Sequence, residues 1–395
     1  MTRTLIENIQ LVQRDGKLAN GAILLEDGRI AAVSTAPFAD YIGDRFDGDG
    51  CVAMPGFIDI HIHGARGADF MDDDGAAAAV IATALPAEGT TAFLATTLTH
   101  SPERISQAIR HGRTFMNEAR QDGAEMLGFH LEGPFIHPDQ KGAQGSAYIC
   151  EPSMEQLQSW FGETLADLKI ITLAPEQDHD FNVIRELAER GVIVSAGHTT
   201  ADYATINAAQ AAGLTHLTHF GNAMRGLHHR EIGVVGAGML NRQLFCEIIA
   251  DGIHLSPDML KLVLQVIGSE RLLLITDSMR AKGLPDGSYR LGDQEVTVSG
   301  QQAVLATGKF AGSVLKMNEG LRQLRQAADI SWTDAIKLSS ENAAHRLGVW
   351  DRKGSIERGK DADIVLVTED FSVRHTFCRG RMSFAHDQTE DVPVD

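Results

Sequence analysis

Eight short apolar segments recur between residues 57 and 277, most of them separated by stretches of helical periodicity. They are Phe57–His63, Thr91–Thr97, Met126–Glu132, Lys169–Ala174, Val192–His198, Thr215–His219, Phe245–Asp251 and Arg271–Asp277. Phe181–Arg190 and Asp258–Ile267 are examples of the intervening helical patterns. Strands alternating with helices imply parallel pairing, because a parallel crossover needs a dozen or more residues and is usually a helix. Eight such strands favour closure into a (β/α)8 TIM barrel over an open doubly wound sheet.

The two ends of the chain have a different texture. Gly21–Leu25, Ile30–Val33 and Cys51–Met54 are short β-rich runs punctuated by Asp27-Gly28 and Asp47-Gly48-Asp49-Gly50. The last part repeats this pattern, with Gly359-Lys360-Asp361-Ala362-Asp363 leading into Ile364–Val367. This predicts a small β-sandwich domain assembled from residues 1–54 and 355–395, with the barrel occupying 55–354.

Polar residues suited to metal or proton chemistry fall at the C-terminal ends of the expected strands. His61 and His63 end the first, Glu132 the third, His198 the fifth, His219 the sixth and Asp277 the eighth. A barrel builds its active site at that face, so the six positions converge on one mouth. Each has a bland reading: Glu132 could close a strand before a turn, His198 could be a satisfied core histidine, and Asp277 could cap a helix. That reading has to hold at six positions on five strands. Imidazole and carboxylate ligands suit zinc, iron and similar divalent ions, and a catalytic site keeps a coordination position open for water. A carboxylate facing that water can accept its proton and pass it to a leaving amine, and Asp277 is the candidate.

Composition narrows the partners. The formal charge of −18 argues against a nucleic-acid surface. No apolar run approaches the length of a membrane span, and the N-terminus turns polar before a signal core could form. Cys51, Cys150, Cys246 and Cys378 form no CxxC pair, which fits reduced thiols. The expectation is a cytoplasmic enzyme with neither a membrane nor a nucleic-acid partner.

The motifs carry a resemblance to a known family. They are Pro55-Gly56-Phe57-Ile58-Asp59-Ile60-His61-Ile62-His63-Gly64, His130-Leu131-Glu132-Gly133-Pro134-Phe135 and Ala196-Gly197-His198-Thr199. To these add Thr218-His219-Phe220-Gly221-Asn222-Ala223-Met224, His228-His229-Arg230-Glu231, Ile249-Ala250-Asp251-Gly252-Ile253-His254 and Thr276-Asp277-Ser278. Over nearly its whole length the chain resembles the amidohydrolase superfamily, and within it the N-acetylglucosamine-6-phosphate deacetylase family.

The resemblance implies that Glu132, His198 and His219 hold a principal divalent ion, zinc first and iron or another ion as the alternative. His61 and His63 leave room for a second, so one or two ions per subunit. It further implies Asp277 as general base and acid, with Ala143, Asn222, Ala223 and His254 along the sugar and Arg230 on the phosphate of an amino-sugar phosphate in a homodimer. Lys169 begins its strand rather than ending it, so the superfamily's carboxylated lysine has no counterpart. At Lys141-Gly142-Ala143-Gln144-Gly145 the chain departs from the family, which commonly carries His in place of Gln144. Two competing readings are an amidohydrolase acting on a different N-acyl sugar, an N-acyl amino acid or a cyclic amide, and an inactive scaffold that binds sugar or a partner protein.

Overall fold

A computed structural model of the chain describes residues 3–118 and 122–386. Residues 387–395, part of the expected terminal domain, lie outside the described residues.

Eight parallel strands form the central sheet in sequential order: β1 (Phe57–Ile62), β2 (Thr90–Thr97), β3 (Glu125–Glu132), β4 (Leu168–Leu173), β5 (Ile193–Ala196), β6 (Leu214–Leu217), β7 (Phe245–Ile249) and β8 (Leu272–Ile275). The seam between β8 and β1 is bridged just beyond β8. Asp277 donates its backbone N–H to the His61 carbonyl at 2.8 Å, and His63 and Gly64 donate theirs to the Ser278 carbonyl. Barrel closure therefore places Asp277 beside the first-strand histidines.

A helix follows each strand: α1 (Ala77–Ala84), α2 (Pro102–Met116), α3 (Met154–Phe161), α4 (Asn182–Glu189), α5 (Tyr203–Ala212), α6 (Gly233–Leu240), α7 (Pro257–Ile267) and α8 (Met317–Ala328). Several begin where the sequence supplies a capping oxygen. Ser101 accepts from the Arg104 N–H, Ser153 from Gln156, Asp202 from Thr205 and Ser256 from Met259. The main apolar cluster includes Ile105, Ala108 and Ile109 of α2 with Met126, Phe129 and Leu131 of β3. Gly112 lets α2 lie close to the sheet: a Cβ there would sit 2.5 Å from the Phe129 ring. No described helix is long and apolar enough to cross a membrane.

The strand-rich ends of the chain join in a second eight-stranded sheet. It combines Arg3–Val12, Leu18–Glu26, Arg29–Ser34, Asp44–Asp47 and Val52–Pro55 with Ile364–Val367, Val373–Cys378 and Arg381–Ala385. One edge of Arg3–Val12 pairs with Asp44–Asp47 along its first half and Val52–Pro55 along its second, so the sheet forks there. Ile6, Ile9, Ile23, Leu25, Ile364, Leu366 and Phe377 form an apolar cluster within it. A three-stranded antiparallel insert (Gly287–Leu291, Gln294–Ser299, Gln302–Leu305), absent from the sequence expectation, follows β8.

Candidate active site

Glu132 is the last residue of β3, His61 lies within β1, and His63 follows it directly. His198, His219 and Asp277 sit two residues past the ends of β5, β6 and β8 rather than on the strands, which corrects the expected strand limits. All three have left-handed backbones, with φ of 49°, 32° and 47°. Non-glycine residues seldom adopt that conformation, and where they do the surrounding structure has to hold it. Here the turn directs three side chains from three strands toward one point.

For the two histidines that point is the Glu132 carboxylate, and Asp277 reaches its neighbours His61 and His63. Glu132 Oε1 lies 3.1 Å from His198 Nε2, 3.2 Å from His219 Nε2 and 3.5 Å from His61 Nε2. Its Oε2 lies 3.3 Å from His63 Nε2 and accepts a 2.7 Å hydrogen bond from the Gln144 amide. Gln144 is held in that orientation because its Oε1 accepts the Thr99 backbone N–H at 2.6 Å. Asp277 Oδ1 is 3.2 Å from His63 Nε2 and 3.6 Å from His61 Nε2. Glu132, Gln144, Asp277 and the four histidines are all buried.

The electrostatics follow from this crowding. Burial opposes ionisation of Glu132, yet His61, His198 and His219 outweigh it and hold the carboxyl well below its usual range. Asp277 is likewise held at about 2, where burial is overcome by His61 and His63. Burial pulls the His63 ring down, but Asp277 and Glu132 raise it to about 9, and the same carboxylates raise His61. A cluster that so strongly favours positive charge between its carboxylates fits a bound cation.

The ring orientations agree. His198 Nδ1 is 2.7 Å from the Gln140 carbonyl and His63 Nδ1 is 3.3 Å from the Thr96 carbonyl. A carbonyl only accepts, so Nδ1 carries the hydrogen and Nε2 is free to act as a ligand. His61 Nε2 is buried without a hydrogen-bond partner among the described residues. The ligand atoms of Glu132, His198 and His219, and those of His61, His63 and Glu132, each lie within 4.8 Å of one another. Nitrogen and oxygen donors in this number fit a zinc- or iron-type ion.

Above the cluster opens a cavity of about 340 Å³. His63, Glu132, His198, His219 and Asp277 form one wall, and Ala143, Asn222, Ala223 and His254 also line it. Asp251 holds His254 from below: its Oδ2 is 2.6 Å from His254 Nδ1, and its Oδ1 accepts the His254 backbone N–H. Arg230 does not line this cavity. It is exposed on the loop after β6, with its guanidinium 2.5 Å from His229 Nε2. Lys169 points elsewhere, donating to the Ala166 carbonyl.

Three roles did not follow from the sequence, where Gln144 stood only as a departure from the family. Gln144 braces Glu132, Asp251 braces His254, and the segment after the three-stranded insert brings Gly308, Lys309, Phe310 and Gly312 to the cavity. Asp251 stands three residues before His254, a spacing that could have signalled the pair.

A sequential parallel barrel with a buried carboxylate–histidine cluster and an aspartate beside it at its C-terminal mouth is the architecture of a metal-dependent hydrolase. The chain belongs to the amidohydrolase family, whose model matches residues 52–382, and within it to the N-acetylglucosamine-6-phosphate deacetylases. It is 46% identical over 394 residues to the N-acetylglucosamine-6-phosphate deacetylase of Bacillus subtilis (strain 168), covering 98% of this chain and 99% of that protein. It is 33% identical over 374 residues to the N-acetylgalactosamine-6-phosphate deacetylase of Escherichia coli O157:H7, covering 95% and 97%. The crystal structure of N-acetylglucosamine-6-phosphate deacetylase from Thermotoga maritima superposes with a TM-score of 0.86 at 35% identity, covering 97% of this chain and 100% of that one.

Proposed function

We propose that the chain hydrolyses the N-acetyl group of N-acetylglucosamine 6-phosphate, giving glucosamine 6-phosphate and acetate, as a step of amino-sugar catabolism in the cytoplasm. The observation that carries this reading is the ligand cluster on Glu132 with Asp277 beside it, 3.2 Å from His63, in the wall of one cavity, in a chain of this family.

Glu132, His198 and His219 would hold the principal ion, and His61 and His63 with Glu132 a second; zinc is the ion of choice for this donor set. Such an ion acts as a Lewis acid on the amide carbonyl and makes bound water easier to ionise. Asp277, ionised at neutral pH, accepts the proton of the attacking water. It then returns that proton to the amide nitrogen, so that the C–N bond breaks to release a neutral amine. Ala143, Asn222, Ala223 and His254 enclose the sugar, and the braced His254 ring presents its Nε2 to a hydroxyl.

Phosphate recognition falls to Arg230. Because that side chain is exposed and outside the cavity of its own chain, the reading places it in the cavity of a second subunit within a homodimer. Among the described residues lining the cavity, Lys309 is the sole lysine or arginine, and it supplies a cation from the same chain. In this reading residues 1–54 and 355–395 form one small domain and 55–354 the catalytic barrel.

The test is acetate release from N-acetylglucosamine 6-phosphate, its galactose epimer and the two unphosphorylated sugars. The glucosamine phosphate should have the highest specificity constant. Preference for the epimer would reassign the sugar, indifference to phosphate would remove the role of Arg230, and no release from any of the four would refute the reading.

A further inference from the structure

Glu247 lies in the middle of β7, within the otherwise apolar run Phe245-Cys246-Glu247-Ile248-Ile249. It is fully buried. A carboxylate in such a place is strongly unfavourable unless its partners are well arranged. The partners here are two of the histidines of the site. Glu247 Oε2 lies 3.0 Å from His61 Nδ1 and accepts the backbone N–H of His219 at 3.3 Å. Its Oε1 has no hydrogen-bond partner among the described residues.

We propose that Glu247 is a positioning residue of the metal centre, fixing the His61 ring with Nε2 aimed at Glu132 and tethering His219 through its backbone. The proposal rests on the reading of the cluster as a metal centre. Its logic is that of the other rings: a carboxylate at Nδ1 accepts, so the hydrogen resides on Nδ1 and Nε2 presents its lone pair. That Nε2 faces two carboxylates, Glu132 at 3.5 Å and Asp277 at 3.6 Å, and has no hydrogen-bond partner among the described residues. The second contact acts where His219 has its left-handed backbone, φ 32°, which a hydrogen bond to its N–H helps to hold.

His61, His130 and Glu247 also group closely enough to suggest a separate ion. His130 argues against one. Its Nδ1 is 3.1 Å from the Ile60 carbonyl and its Nε2 is 2.7 Å from the Thr172 hydroxyl, so both nitrogens are already engaged. Glu247 therefore serves the cluster through His61 rather than as a ligand of its own.

The experiment compares zinc binding by the full chain with Glu247→Leu and Glu247→Gln, and locates the His61 ring hydrogen by NMR of zinc-loaded, 15N-histidine-labelled wild type. Losing an outer partner of this kind weakens metal binding about 10–100-fold. Glu247→Leu should weaken the equivalent dependent on His61 and His63 by that factor, and weaken the one held by Glu132, His198 and His219 less, through the lost tether on His219. Glu247→Gln keeps a carbonyl acceptor and should recover most of the loss. The His61 hydrogen should be found on Nδ1, assigned by its disappearance in His61→Asn. A folded Glu247→Leu protein with wild-type zinc affinity, or a wild-type His61 carrying its hydrogen on Nε2, overturns the proposal. The NMR measurement needs no Glu247 variant, so it decides even if Glu247→Leu fails to fold. A wild type that takes up one equivalent withdraws the second-ion reading, and the ring hydrogen then decides the Glu247 assignment separately.

Discussion

Replacing Asp277 with asparagine isolates proton transfer from everything else this residue does. Its backbone has φ 47°, a conformation that Asn tolerates better than most residues, whereas Ala there costs about 1–2 kcal/mol of strain. Asn also keeps the side-chain shape next to His63, 3.2 Å away. What it loses is the charge: the carboxylate, held at about 2, is ionised throughout the working range, and an amide cannot accept the proton of water. General acid–base catalysis contributes roughly 10²–10⁴ in rate, equivalent to about 3–5 kcal/mol of barrier. Steady-state acetate release should therefore show kcat lowered by that factor, with KM little changed. Zinc content should stay at the wild-type level, because Asp277 is outside all three groups of mutually close ligand atoms. Wild-type turnover in Asp277→Asn would refute the assignment, and loss of zinc along with rate would make Asp277 a ligand instead.

Other outcomes follow from the same geometry. Arg230→Ala should lower the specificity constant for the phosphorylated sugar by about 10–150-fold, the worth of one charge-assisted hydrogen bond, and leave the unphosphorylated sugar nearly unaffected; equal losses on both would remove its phosphate role. A His61→Asn, His63→Asn double variant should bind about one zinc where wild type binds two, measured by elemental analysis; one equivalent in both proteins would count against a second site. Glu125, at the start of β3, is opposed by burial but held at about 2 by Arg352 and Lys353, both 2.7 Å away. Because its folded value lies below the ordinary 4.5, its contribution, about 3 kcal/mol as an upper figure, is present above pH 4.5 and lost as pH falls toward 2. Urea unfolding of Glu125→Gln should thus show a stability deficit at pH 7 that shrinks below pH 4.5, and a deficit independent of pH would refute it.

The barrel was legible because its strands are short apolar runs and its crossovers carry helical periodicity, so Phe245–Ile249 and Pro257–Ile267 could be separated by pattern alone. Arg3–Val12 was not, because a register shift between Ile6 and Ile9 breaks the alternation that marks a half-buried strand. The insert from Gly287 to Leu305 escaped for another reason. Its strands are largely exposed, so residues such as Arg290 and Glu295 dilute the apolar signal.

At the site, histidines and acids at strand ends stood out, and closure of the barrel brought Glu132, His198, His219, His61, His63 and Asp277 together. The two-residue overhang of His198, His219 and Asp277 could not be read, since a left-handed backbone leaves no mark in residue type when the residue is not glycine. Glu247 did leave a trace: a lone carboxylate in an apolar strand demands a partner, although sequence alone does not say which.

The central claim is that the Glu132 cluster holds the ion on which hydrolysis depends. The most direct measurement titrates zinc back into chelator-stripped protein while acetate release from N-acetylglucosamine 6-phosphate and bound metal are followed together. Activity should be absent in the stripped protein and return in proportion to bound zinc, and His198→Ala and His219→Ala should lower both. Full turnover by protein shown by elemental analysis to be metal-free would contradict the account.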